Sequence, residues 1–142
     1  MKLAHQIHVR VFCYPEDNAE NIEKALLFLF PFDLEKEKIT LKKTKAEGFH
    51  DRQIIIYEVT LIKDKHCNLF LEQLNKNIEE KSRLLPRIDE NFDLFMRFDK
   101  DALLEGKYKL TESGNCFHIK ISLAVFPRNK EQAIALVKRM FT

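Results

Sequence analysis

Two segments of strictly alternating hydrophobicity limit what this chain can fold into. In the first, residues 5–13, the apolar side chains take every second position: Ile7, Val9, Val11 and Cys13. The segment Phe117–Val125 repeats the pattern. Because successive side chains of a strand point to opposite faces of a sheet, each segment predicts a strand with one buried face and one open face. Such alternation is typical of antiparallel or mixed sheets, since parallel strands are usually buried on both faces.

Further strands and helices are predicted between and after these segments. The additional strands are Lys38–Glu47, Gln53–Ile62, Phe92–Asp99 and Lys107–Thr111, with a turn at Glu112–Asn115. Amphipathic helices are predicted after Asp17, Asp64 and Asn129, whose side chains can accept hydrogen bonds from the first turn of a helix. The first helix should stop at Pro31 and the second before Pro86. A helical turn over Lys100–Glu105 should close at Gly106.

The order of these elements is β-α-β-β-α-β-β-β-α. It predicts an α+β protein, a two-layer sandwich in which the helices pack on one face of a mainly antiparallel or mixed sheet. The 142 residues are 45% hydrophobic and contain neither a repeat nor a linker-like stretch, so we expect a single domain over residues 1–142.

Composition narrows the function classes. The 24 Lys and Arg residues barely outnumber the 22 Asp and Glu residues, which excludes a strongly polybasic protein. The three cysteines form no CxxC pair, which favours a reducing cytoplasm over a disulfide framework. The longest apolar run, Ala25–Phe32, is interrupted by Pro31 and is too short to span a bilayer. We therefore expect a cytoplasmic protein with no membrane partner.

The open face of the predicted sheet carries cations and aromatic rings. Its side chains include His8, Arg10, Phe12, Phe95, Arg97, His118 and Lys120. Single-stranded RNA suits such a surface, because cations neutralise phosphates and rings stack on bases. The alternative is that the cations only confer solubility and that a loop or a dimer partner covers the rings.

A second basic group lies on the predicted hairpin. Lys42, Lys43 and Lys45 follow one another on its first strand, and Arg52 lies across the turn. A basic hairpin arm can contact phosphates. Lysines on an edge strand also prevent edge-to-edge aggregation, so both interpretations stay open.

Catalytic and metal sites find no support in the residue spacing. His5 and His8 are three apart, which places them on opposite faces of a strand, and Cys116 and His118 lack a third ligand. In the segment Arg97-Phe98-Asp99-Lys100, Arg97 and Asp99 share a face, and the pair is interpreted as structural. We therefore expect no enzyme, no metal and no cofactor.

Several segments together resemble one archaeal family. They are Ala4-His5, Pro15-Glu16-Asp17, Leu94-Phe-Met-Arg-Phe-Asp-Lys100 followed by Gly106, and Leu110-Thr-Glu-Ser-Gly114 leading into Phe117-His-Ile-Lys-Ile121. The family consists of small RNA-binding proteins labelled predicted exosome subunits. The most specific segment, Arg97-Phe-Asp-Lys100, is similar to the family's Arg-Leu-Asp-Lys stretch, with Phe98 in place of Leu. The resemblance implies a fold like that of the ribosomal protein that binds 5S RNA and a role as an RNA-binding accessory.

Together these observations predict a non-enzymatic RNA-binding protein that assists RNA degradation or processing, with exosome components as further partners. The candidate RNA-binding residues are Lys42, Lys43, Lys45, Arg52, Phe95, Arg97, Lys100, Arg10 and Lys120. The alternative is a protein-interaction module, a homodimer or an adaptor, which uses the open sheet face or an edge strand.

Overall fold

The computed structural model describes residues 1–112 and 114–142, apart from the side chain of Phe49. The strands are β1 (Ala4–Cys13), β2 (Lys42–Glu47), β3 (Gln53–Leu61), β4 (Asp93–Asp99) and β5 (Cys116–Leu123). The α-helices are α1 (Ala19–Phe28), α2 (Asp64–Asn77), α3 (Lys100–Leu104) and α4 (Lys130–Met140). Two 3-10 helices cover Phe49–Asp51 and Lys81–Arg87.

All five strands form one antiparallel sheet in the order β2-β3-β1-β5-β4. Helices α1 and α2 pack against β1, and α4 packs against α2. The prediction of an α+β fold with a mainly antiparallel sheet and helices on one face is confirmed. None of the helices in the described residues has the length and apolar character needed to cross a membrane.

The alternation in β1 and β5 decides which face the helices cover. Ile7, Val9 and Val11 of β1 are completely buried, as are Phe117 and Ile121 of β5. Side chains at the intervening positions of both strands are half-buried or exposed, apart from the buried Cys116 at the start of β5. Burial of the apolar side chains against α1 and α2 thus fixes the register, because a slip of one residue would turn each apolar set towards solvent.

Helix boundaries follow local capping chemistry. Asn129 accepts a hydrogen bond from the N–H of Gln132 at 2.8 Å and begins α4 as predicted. Helix α1 is capped by Asn18, not by Asp17, because the Asp17 carboxylate already binds the N–H of Tyr14 at 2.9 Å. The helical turn α3 is followed by Gly106, whose φ of 81° favours glycine.

The bounds of β2 and α2 differ from those predicted. The first hairpin strand begins at Lys42 and not at Lys38. Helix α2 has Lys63 at its N-cap, with Asp64 as its first residue, and it ends at Asn77, after which the backbone is extended. Pro86 lies inside the 3-10 helix that follows.

The predicted strand Lys107–Thr111 is reduced to a single bridge between Leu110 and Phe98, supported by two backbone hydrogen bonds to β4. The segment covers part of the outer edge of β4 but is too short to form a sixth strand. The turn predicted at Glu112–Asn115 includes Ser113, which lies outside the described residues.

Candidate nucleic-acid interface

The open face of the sheet is a grid in which the strand register sets the neighbours. One row crosses all five strands and consists of Lys42, Glu58, Arg10, His118 and Arg97. The next row contains Thr60, His8, Lys120 and Phe95. Side chains from the two rows line a shallow groove of about 420 Å³ over β1, β5 and β4. Residues far apart in sequence therefore meet on one surface.

Two nitrogen-bearing side chains of the groove already have partners. The Nε2 atom of His8 lies 2.9 Å from a carboxylate oxygen of Glu58. The ammonium of Lys120 lies 3.7 Å from the Asp93 carboxylate and 5.9 Å from the centre of the Phe95 ring. Phe95 itself is 40% exposed, which leaves part of the ring free to stack on a ligand.

The centre of the first row has a different character. Arg10 and Arg97 face His118 from the two strands that flank it. The Arg10 guanidinium lies 5.1 Å from the centre of the Phe12 ring, and its Nε has no acceptor among the described residues. Arg97 donates to the backbone oxygen of Glu112 at 2.9 Å. Within residues 1–112 and 114–142, neither guanidinium is paired with a carboxylate.

His118 responds to this surrounding positive charge. Burial lowers its pKa, and the cations Arg10, Arg97 and Lys100 lower it further, because each disfavours the protonated imidazole. Its Nε2 atom lies 3.6 Å from the sulfur of Cys116. Both causes favour the neutral imidazole of His118 in the free protein.

The hairpin lysines do not form a single arm. Lys42 lies in register with Glu58 on the open face, whereas Lys43 and Lys45 lie in register with Tyr57 and Ile55 and point to the opposite face. Lys43 pairs with Glu23 of α1 at 3.2 Å. Alternation along β2 thus divides three neighbouring cations between two surfaces.

Arg52 and Lys100 lie together at one end of the sheet. The Arg52 guanidinium pairs with Glu16 and lies 5.4 Å from the centre of the Tyr14 ring. The Lys100 ammonium lies 5.0 Å from the same ring centre. Hydrogen bonding to Glu16 raises the pKa of Arg52, and the same contact lowers the pKa of Glu16.

Lys100 is the one predicted RNA contact that the fold removes from the surface. Only 1% of the residue is exposed, and its ammonium donates to the carbonyl of Phe12 at 2.7 Å and to Asp17 at 3.0 Å. Phe12 lies near the end of β1 and Asp17 lies in the connection between β1 and α1, so the lysine ties this part of the chain to α3. The prediction that Lys100 contacts a phosphate is therefore wrong for this conformation.

The predicted pairing of Arg97 with Asp99 is also replaced. Asp99 accepts from the N–H of Ala102 at 2.9 Å and caps α3. A carboxylate at a helix N-terminus is favoured by the free N–H groups and the helix dipole. The two side chains share a face, but the Asp99 carboxylate binds the first turn of α3, and the Arg97 guanidinium binds the backbone oxygen of Glu112 instead.

Two residues that contact side chains singled out from the sequence were themselves missed. Glu58 fixes one nitrogen of His8, and Tyr14 contacts two of the predicted cations. The alternation in β3 gives a signal for Glu58, since Tyr57 and Val59 on either side of it are buried. Tyr14 follows the end of β1, so no periodicity predicts where its ring lies.

The cysteines are unsuited to nucleophilic chemistry. All three are buried as free thiols, and burial raises the pKa of each. In residues 1–112 and 114–142 there is no group of three His, Cys, Asp or Glu side chains with the arrangement of a metal site.

Comparison with known proteins shows which proteins the whole chain is similar to. The chain is 25% identical over 141 residues to RNA-binding protein PAB1135 of Pyrococcus abyssi, covering 95% of this chain and 92% of that protein. It is 22% identical over 140 residues to the uncharacterized protein MJ0213 of Methanocaldococcus jannaschii, covering 93% of each.

Solved structures share the whole fold. The structure of Mth689, a DUF54 protein from Methanothermobacter thermautotrophicus, superposes with a TM-score of 0.83 at 25% identity. The match covers 99% of this chain and all of that one. Residues 6–123 match the model of a family described as RNA binding, a span that contains all five strands except the first two residues of β1. The resemblance stated from the sequence motifs is therefore confirmed, and the chain belongs to this archaeal family of small RNA-binding proteins.

Proposed function

We propose that this protein binds single-stranded RNA on the open face of its sheet. The observation that carries the proposal is the convergence of Arg10, Arg97, Lys42 and Lys120 with the exposed ring of Phe95 on one surface. The cations would contact phosphates, and the ring would stack on an unpaired base. The family match and the name of the Pyrococcus relative support RNA as the ligand.

Single-stranded RNA fits this surface better than a duplex does. Phe95 lies beside a groove that is open along the sheet, so a strand with splayed bases can place one base on the ring. In duplex RNA the bases are stacked on one another and are not available to an aromatic side chain. We expect tighter binding of a single strand than of a duplex of the same length.

The test compares two variants that lose the same charge on opposite faces. Arg10→Gln combined with Arg97→Gln removes two cations from the open face. Lys43→Gln combined with Lys45→Gln removes two from the other face of β2. Binding of a single-stranded RNA of about 12 nucleotides is measured for each over a series of salt concentrations.

Loss of two phosphate contacts should reduce the slope of log K against log salt by about 1.4, or 0.7 for each contact. The Lys43 and Lys45 variant should keep the wild-type slope. Arg10→Lys with Arg97→Lys should restore most of the slope, which separates lost charge from lost structure. Equal losses in both double glutamine variants would contradict the proposal, because they would show that only net charge matters.

The remaining parts of the proposal concern role and partners. We propose that binding involves no catalytic step and that it serves RNA degradation or processing, with exosome components as protein partners. Incubation of the protein with labelled RNA tests the first part, since cleaved products would contradict it. Co-purification with reconstituted archaeal exosome tests the second.

An interaction module that uses the open face or an edge strand finds less support. The open face is lined with charged side chains, and the free edge of the sheet is β2, where Lys42, Lys43 and Lys45 oppose pairing with another strand. A concentration-independent monomer in sedimentation experiments would argue against the homodimer form of this alternative.

A further inference from the structure

The centre of the open face holds three nitrogen-bearing side chains in line and no acid between them. Arg10 on β1 and Arg97 on β4 lie in register with His118 on β5, one on each side. Cα atoms of directly opposed residues in an antiparallel pair are about 4.5–5.5 Å apart, so the three side chains share one small patch. An anion bound above His118 would be within reach of both guanidiniums.

The acids that could fill this patch are engaged elsewhere. Glu58, next to Arg10 in the row, has its carboxylate on His8. Asp99 lies in register with Cys116 and caps α3, while Asp93 lies near Lys120. Among the described residues, the positive charge of the patch is therefore not paired with a carboxylate.

Burial opposes the protonation of His118, and so do cations on three neighbouring elements. Arg10 faces it from β1, Arg97 from β4, and Lys100 adds positive charge from α3. On its own strand the neighbours of His118 are the Cys116 thiol and the Lys120 ammonium. The rings of Phe12 and His118 make an edge-type contact, with their centres 6.2 Å apart. A negative group at this position would reverse the balance and favour the imidazolium.

We propose that an RNA phosphate binds between Arg10 and Arg97 and that His118 takes up a proton when it does so. The inference rests on RNA binding by the open face. The phosphate replaces the missing counterion, and the protonated imidazole becomes a third donor to its oxygens. Binding and protonation are then linked, so the affinity for RNA rises as the pH falls.

The pH dependence of the RNA affinity has a defined size and a defined pH range. If one proton is taken up per phosphate, the association constant increases by up to about tenfold for each unit by which the pH falls. The affinity increases in the pH range that lies between the pKa of His118 in the complex and its lowered pKa in the free protein. Above this range the affinity should not depend on this group.

The experiment measures binding of a single-stranded RNA of about 12 nucleotides at constant ionic strength from pH 8 down to about pH 5.5. It uses wild-type protein and the variants His118→Gln, His8→Gln and His5→Gln. His5 is the matched control, because it is exposed at the start of β1 and does not line the groove. Imidazole NMR signals of His118 are followed through the same pH range with and without RNA.

Three results together would support the inference. The RNA affinity of wild-type protein should rise as the pH falls. His118→Gln should remove the part of this rise that comes from proton uptake by His118. RNA should shift the titration of His118 to higher pH. His5→Gln should keep the wild-type curve. Loss of the rise in His8→Gln but not in His118→Gln would overturn the assignment and transfer it to the other histidine.

A failure of this inference is distinguishable from a failure of the proposed function. RNA binding with a normal salt slope, together with an unchanged titration of His118, would overturn proton uptake alone. Absence of binding at low salt throughout the pH range would overturn both.

Discussion

Two cation clusters in the described residues, one on the open face of the sheet and one beside its end, differ in what surrounds them. In the middle of the open face, Arg10 and Arg97 flank His118, and neither guanidinium is paired with a carboxylate in the described residues. At the end of the sheet, Lys100 is bound to Asp17 and Arg52 to Glu16. The comparison shows that the number of cations on a surface says little about their capacity to bind an anion. The partners that the fold supplies decide which cluster is available.

The largest expected effect comes from Lys100 at the sheet end. Lys100→Ala should destabilise the protein by about 3–5 kcal/mol, because it leaves the Phe12 carbonyl without its donor and the half-buried Asp17 carboxylate without a cation, with only the N–H of Tyr14 bound to it. Urea unfolding measures the change, and Lys107→Ala, at an exposed position, is the control. A loss similar to that of the control would show that the buried ammonium does not hold α3 to the β1–α1 connection.

The second largest effect is on RNA affinity and concerns the open face. Phe95→Ala should weaken binding of single-stranded RNA by about 1–3 kcal/mol, the usual contribution of stacking one base on an aromatic side chain. Since 40% of Phe95 is exposed, stability should change little. The affinity is measured at fixed salt, with Phe126→Ala as the control because Phe126 is 92% exposed and lies outside the groove. Equal losses in the two variants would exclude a specific stacking role.

A smaller effect concerns stability in mild acid. The folded protein lowers the pKa of His118 below the ordinary histidine value of about 6.5, because the side chain is buried and faces three cations, so the unfolded chain binds a proton at a pH where the folded chain does not. The stability that depends on neutral His118 is complete above about pH 6.5 and decreases as the pH falls towards the folded-state pKa.

The free energy of unfolding of wild-type protein minus that of His118→Gln should therefore decrease between about pH 7 and pH 5.5. Urea midpoints at several pH values measure it without RNA. A difference that stays constant over this range would show that the cations around His118 do not act on its titration.

The smallest effect is expected for the exposed pair at the sheet end. Arg52→Gln should leave the unfolding midpoint and the RNA affinity close to those of wild type, because an exposed ion pair contributes little and Glu16 already occupies the guanidinium. The salt slope provides a second readout. If Arg52→Gln reduced the salt slope as much as the loss of one open-face arginine does, Arg52 would contact the RNA. The contrast between the two clusters would then disappear.

Much of the fold was predictable because its signals are local. Alternation in β1 and β5 predicts which side chains are buried, and Asn129 predicts the start of α4. The misplaced elements depend on competition between distant groups. Asp17 could cap α1 by its position, but the N–H of Tyr14 and the ammonium of Lys100 take its carboxylate.

The sequence by itself determined the two faces of the sheet, since a period of two in hydrophobicity leaves only one face to bury. It also carried the motifs that identify the family. Only the tertiary structure decided which cations are available, because the strand order places Arg10, His118 and Arg97 in one row although they are 21 to 108 residues apart in the chain. It likewise decided that Lys100 is buried, since its partners come from a segment more than 80 residues earlier. Charge is a property of a residue, whereas the presence of a counterion is a property of the fold.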